Sequence, residues 1–241
     1  MSTPSDVLQS LLDPPHYSAA RMAAGKALSW RHRALHRRRR DDVVLERIAG
    51  RPLLVTPSVF NPRLMRTGEF FARQLRPPLL RADAEVLDMG TGSGVCAVHA
   101  AAHVRRVVAV DINPAAVRCT LINALINGLD NRIEVLHGDL FEPLEGRRFD
   151  VILFNPPFLQ GVPRDDADRA WRSIDVAERF AAELRRHLRP AGYALLLLSN
   201  YGGASEFWGQ LRRRGLAMTV VAQKSYINEK LTLLKVDVRE S

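Results

Sequence analysis

Short unbroken apolar runs punctuate this chain at regular intervals, at 86–87, 107–110, 151–154 and 194–198, and each reads as a strand buried on both faces, as parallel strands are. The stretches between them carry helix signals. Asn113-Pro114 places a capping residue before a proline at the first helical position, and Asn127-Gly128 closes the same helix. The pattern predicts strands at 85–89, 106–110, 132–136, 149–154, 192–199, 216–223 and 231–238. Helices are predicted at 94–103, 114–127, about 168–188 and 203–214. Strand and helix alternate, which predicts an α/β fold with a mostly parallel, Rossmann-like sheet of seven strands. The last two strands flank only a loop, 224–230, so they are expected to pair antiparallel as a C-terminal hairpin.

The first third of the chain has a different texture. Residues 6–12 form a short helical candidate stopped by Pro14-Pro15, and 17–40 reads as a longer helix with Tyr17, Ala24, Leu28 and Leu35 near one face. An extended hairpin is expected over 43–60, turning at Gly50-Arg51-Pro52, and a helix over about 63–75, ended by Pro77-Pro78. This divides the chain into a helical N-terminal cap (1–42), a hairpin and linker (43–62) and a catalytic domain (63–241).

Candidate chemistry collects at the strand ends. Asp88-Met-Gly-Thr-Gly-Ser-Gly94 is a strand-to-helix turn whose glycines, Gly90, Gly92 and Gly94, let the backbone approach a ligand, with Thr91 between them. A dinucleotide fingerprint needs G-x-G-x-x-G. Here the spacing is G-x-G-x-G with an acid two residues before, which favours S-adenosylmethionine over NAD. Asp111, followed by Ile112, ends the second core strand where a carboxylate can accept both ribose hydroxyls. Asp139, followed by Leu140, ends the third and is placed to meet an adenine amino group. The fourth strand runs into Asn155-Pro156-Pro157-Phe158. An Asn oxygen and a backbone carbonyl made directional by the prolines can accept both hydrogens of a planar NH2 group, and the Phe158 ring can hold that group flat. Asn155, Pro156 and Phe158 are therefore the candidate catalytic residues.

Composition narrows the picture in places. No apolar run approaches the roughly 18 residues of a membrane span, and residues 1–13 are polar and acidic where a signal peptide would be basic, so a cytoplasmic location without membrane attachment is expected. Cys96 and Cys119 have no metal-ligand spacing and fit reduced, buried thiols; no metal is expected. The net charge of +9 invites a nucleic-acid partner, concentrated at Arg21, Lys26, Arg31, Arg33 and Arg37 to Arg40. Only four of the 35 basic residues are lysine, so a GC-rich genome explains the excess as well. The oligomeric state is open.

The glycine loop, Asp111, Asp139 and the Asn-Pro-Pro-Phe element together resemble the HemK-type N-methyltransferases, over about residues 43 to 238. The resemblance implies a class I S-adenosylmethionine methyltransferase fold, methylation of a glutamine side-chain amide, and a cofactor pocket that includes Pro62 and Thr67. The same Asn-Pro-Pro-aromatic element occurs in adenine and guanine N-methyltransferases. It marks a planar amide or amine acceptor, on protein, nucleic acid or small molecule. Trp171 and the acidic run from Asp165 depart from the family's acceptor-side pattern. They keep open a small-molecule enzyme on this scaffold, including one that cyclises S-adenosylmethionine to azetidine-2-carboxylate and releases methylthioadenosine. A non-enzymatic S-adenosylmethionine-binding regulator or RNA-binding protein would have no need of Asn155.

Overall fold

The computed structural model describes residues 42–157, 159–162, 172–200, 203–226 and 229–238. The predicted cap helices, Phe158 and Trp171 lie outside them. Two strands, β1 (Val44–Ile48) and β2 (Arg51–Val55), form an antiparallel hairpin. Its turn falls at Ala49-Gly50, both at positive φ, so that Arg51 and Pro52 belong to the second strand rather than to the turn. Two short helices follow, α1 (Pro62–Met65) and α2 (Thr67–Ala72).

The single helix expected over 63–75 is broken at Arg66, which adopts the left-handed conformation with φ 61°. The break lets the backbone at Gly68 fold onto Pro62, where a Cβ would sit 2.5 Å from the proline Cβ. Helical periodicity carries no mark of such a turn at an arginine. Its cost, of order 1–3 kcal/mol, must be met by the packing of Phe70 and Phe71 into the core.

The main sheet has seven strands in the order β10-β11-β9-β6-β3-β4-β5. These are β3 (Glu85–Met89), β4 (Arg106–Asp111), β5 (Ile133–His137), β6 (Phe149–Phe154), β9 (Leu188–Ser199), β10 (Ala217–Ser225) and β11 (Lys230–Asp237). Strand β11 runs antiparallel to β9 and β10, giving the expected C-terminal hairpin, while β3 pairs in parallel with β4 and β6. The chain steps outward from β3 to β5 and then returns to β6 on the other side of β3. The carboxyl ends of β3 and β6 therefore flank the topological switch point, the position at which open α/β sheets bind ligands.

Helices α3 (Val95–Ala101), α4 (Pro114–Ile126), α5 (Val176–His187) and α6 (Ala204–Arg213) cover the sheet. One face packs Phe141, Phe154, Phe180, Phe207 and Leu184 under α5 and α6, and the other packs Val98, Ala101 and Phe71 with α2 and α3. Among the described residues, the helix predicted at about 168–188 is present over Val176–His187, while Arg172–Ser173 (β8) instead pairs in parallel with Leu159–Gln160 (β7). Strand β9 starts at Leu188, earlier than predicted, because an irregularity opposite β6 admits Ala191 at φ 66°.

The two ends of the sheet differ electrostatically. At the amino ends of the strands, Arg189 bridges Asp150 at 2.6 Å and Glu85 at 2.7 Å, and Arg147 pairs with Glu134 at 2.9 Å. At the carboxyl ends, a cleft opens instead.

Candidate active site

The cleft has a volume of about 360 Å³, within the range of small-molecule sites. Its floor is the glycine loop. β3 ends beside Gly90 and Gly92, whose φ values of 64° and 58° lie in the region that favours glycine. The Phe154 ring underlies Gly90, 3.6 Å from where a Cβ would stand.

Asp88 holds this loop from below. It is buried, and one carboxylate oxygen accepts from the Thr91 hydroxyl at 2.7 Å and from the Ala97 N–H at 2.9 Å, so it braces both the loop and the first turn of α3. Burial pushes its pKa up to about 7, against the lowering effect of those two bonds. Asp111 ends β4 and accepts from the Gly92 N–H at 2.8 Å and the Asn113 N–H at 2.9 Å. Burial raises its pKa as well, again in spite of the backbone donors. Both acids thus line one cleft in surroundings that disfavour their charge.

Asp139 stands at the far end, after a tight turn. Gly138 is required there because a Cβ would meet Pro143 at 2.6 Å, and Leu140 follows at φ 51°. One Asp139 oxygen accepts from Arg179 of α5 at 2.8 Å. At the opposite end, Asn155 and Pro156 close β6. The Asn155 side-chain oxygen is buried and has no hydrogen-bond partner among the described residues. An unmade bond of this kind costs about 1–3 kcal/mol, which a donor carried by a ligand would recover.

A roof comes from the hairpin. Buried Asn123 of α4 exchanges hydrogen bonds with Leu54 through its Oδ1 (2.6 Å) and Nδ2 (2.7 Å), and Nδ2 also donates to the Ser93 carbonyl at 2.8 Å. Asn113 caps α4 through the Ala115 N–H and donates to the Ser58 carbonyl at 3.0 Å. These bonds tie the hairpin and Ser58 to α4, and Ser58, Val59, Phe60 and Pro62 line the cleft.

Of the residues singled out from sequence, Asp88, Gly90, Thr91, Gly92, Asp111, Ile112, Asp139, Leu140, Asn155, Pro156 and Pro62 line this one cleft. Gly94 and Thr67 do not. Gly94, at φ 77°, faces Thr120, whose Cγ2 would lie 3.0 Å from an added Cβ, so it sets the approach of α3 to α4. Thr67 is buried one residue before Gly68, which does line the cleft, and its hydroxyl has no partner among the described residues. Sequence reasoning missed the wall formed by Arg172, Ser173, Ile174, Asp175 and Arg179. Asp175 before Val176 was its one legible sign, an acid directly ahead of a helix start.

Comparison with known proteins agrees with this geometry. The family described as methyltransferase small domain matches residues 53–226. The chain is 35% identical to ribosomal RNA small subunit methyltransferase C of Alcanivorax borkumensis, over 65% of this chain and 45% of that protein. It is 31% identical to a release factor glutamine methyltransferase of Geobacter sulfurreducens, over 74% of this chain and 66% of that one. The chain thus spans between about half and two thirds of the length of these relatives. Among solved structures, a T. thermophilus 16S rRNA guanine-N2 methyltransferase in complex with AdoMet and guanosine superposes with a TM-score of 0.61 at 26% identity, over 82% of this chain and 50% of that one. The fold is the Rossmann-like class I methyltransferase fold.

Proposed function

The chain belongs to the methyltransferase small domain family, and from that premise we propose that it is an S-adenosylmethionine-dependent N-methyltransferase. Its acceptor is the nitrogen of a planar amide or amine, first a protein glutamine and second a nucleobase. The observation that carries this reading is the buried, unpartnered Asn155 oxygen at the end of β6, beside the glycine loop. A pure binding protein would have no use for an unsatisfied acceptor at that point.

The cleft fits the cofactor. Gly90, Thr91 and Gly92 leave room for close backbone approach, Asp111 suits the ribose hydroxyls, Asp139 an exocyclic amine, and Pro62 with Ile112 and Leu140 supplies apolar walls. When bound, S-adenosylmethionine supplies an electrophilic methyl carbon. Asn155 and the carbonyl held by Pro156 would accept the two hydrogens of the acceptor NH2, turning its lone pair toward that carbon and stabilising positive charge as it develops on nitrogen. Phe158 would keep the acceptor plane flat. No strong general base is required, because the nitrogen lone pair makes the attack and the proton is lost after the methyl has been transferred.

Residues 1–42 would cover this open cleft and define the acceptor, joined through the 43–62 hairpin to the catalytic domain at 63–241. Transfer of labelled methyl groups to a glutamine-bearing peptide and to RNA, each at low and high salt, tests the reading. Methylation of the peptide, insensitive to salt, supports a protein acceptor. Transfer to RNA that falls steeply with salt supports the nucleobase, because phosphate contacts release counterions. Labelling of neither by a protein that binds the cofactor contradicts both.

A further inference from the structure

Arg179 is the fourth residue of α5, and its Nη1 donates to Asp139 Oδ2 at 2.8 Å. Its backbone N–H donates to the Asp175 carbonyl at 3.0 Å, and its guanidinium stands 3.9 Å from the Asp175 carboxylate. All three residues line the cleft. The Asp139–Arg179 pair is half-exposed on both sides, so it adds little to stability. It does have a geometric consequence. The turn at Gly138 and Leu140 fixes the Asp139 backbone, and Arg179 then fixes the carboxylate about it by engaging Oδ2. Asp139 Oδ1 is left with no hydrogen bond among the described residues.

We infer that Arg179 is a positioning residue for nucleoside recognition, holding the Asp139 carboxylate turned so that Oδ1 accepts from the exocyclic amine of an adenine. The inference rests on the proposed use of S-adenosylmethionine and adds to it a residue of α5. A carboxylate can only accept, and an amine at the purine 6-position can donate where a 6-oxo group cannot. The pair therefore converts a mobile acid into a selective one. It also ties recognition of the base to the start of α5, the element that follows β8.

The test measures affinity of the full-length protein for S-adenosylhomocysteine and for S-inosylhomocysteine, its 6-oxo counterpart, by calorimetry. The intact protein is expected to prefer the adenine form by at least about tenfold, the worth of one charge-assisted hydrogen bond with the unmatched acceptor left behind. Arg179→Met should lose most of that preference while its affinity for the inosine form changes within about twofold. Arg179→Lys, which keeps a donor and a charge, should restore part of it. Equal weakening of both ligands in Arg179→Met would make Arg179 a merely structural residue and overturn the inference. So would an unchanged preference in that variant, or an intact protein that binds both forms equally. An intact protein that binds neither form would instead remove the cofactor reading on which the inference stands.

Discussion

The Thr91 hydroxyl donates to the Asp88 carboxylate over 2.7 Å, and both side chains are buried beneath the glycine loop. The bond fixes the loop's shape without any ligand. Burial of the same carboxylate outweighs that bond and pushes its pKa up to about 7, so the acid is a liability to the folded state whenever it is charged.

Between the usual carboxylate range and about pH 7, the folded protein holds a proton on Asp88 that the unfolded chain has released. The contribution of Asp88 is therefore fully present below about pH 4 and is lost as pH rises to about 7, with a ceiling of about 4 kcal/mol. Asp88→Asn retains an oxygen for Thr91 and Ala97 without the charge. Denaturant unfolding should show it gaining stability over the parent at pH 8 and little at pH 4. An equal difference at both values would contradict the placement of that proton.

Asp111→Ala is expected to reduce S-adenosylmethionine binding almost to nothing. Two hydrogen bonds from ribose hydroxyls to a carboxylate are worth roughly 1.5–3 kcal/mol each. The Gly92 and Asn113 N–H groups would also lose their acceptor. Calorimetry returning an unchanged affinity would take Asp111 out of the cofactor site.

Asn155→Ala should separate binding from rate. The group orients the acceptor, so cofactor affinity should stay within a few fold while turnover falls by about two orders of magnitude or more. Equal losses in affinity and turnover would assign Asn155 to the cofactor instead.

Gly94→Ala addresses the scaffold. At φ 77°, with Thr120 Cγ2 at 3.0 Å from the added carbon, the substitution is expected to cost about 1–3 kcal/mol of stability. Cofactor affinity at a temperature where the variant remains folded should change little, because Gly94 does not line the cleft. Thermal unfolding and calorimetry on the same variant check both halves.

The sequence made the core sheet legible because its strands are apolar on both faces and end on acids or glycines, as Arg106–Asp111 does before Asn113 caps the next helix. The same signals brought Asp88, Asp111, Asp139 and Asn155 to one cleft. What escaped was set by contacts between distant segments. The left-handed Arg66 that splits α1 from α2 depends on Gly68 meeting Pro62. The pairing of Leu159–Gln160 with Arg172–Ser173 is a tertiary choice that local propensity does not record. Gly94 belonged to a ligand-loop pattern, yet its neighbour is Thr120, twenty-six positions on, across a helix interface.

Methyl transfer to an external acceptor and cyclisation of the cofactor leave different nucleoside products, so the product of S-adenosylmethionine distinguishes them. The full-length protein is incubated with S-adenosylmethionine, with and without acceptor peptide or RNA, and the nucleoside product is identified by mass spectrometry. Methyl transfer gives S-adenosylhomocysteine, accumulating only when an acceptor is present. Methylthioadenosine released in the absence of any acceptor would contradict it, and would mean that the cleft turns the cofactor's own amine upon itself.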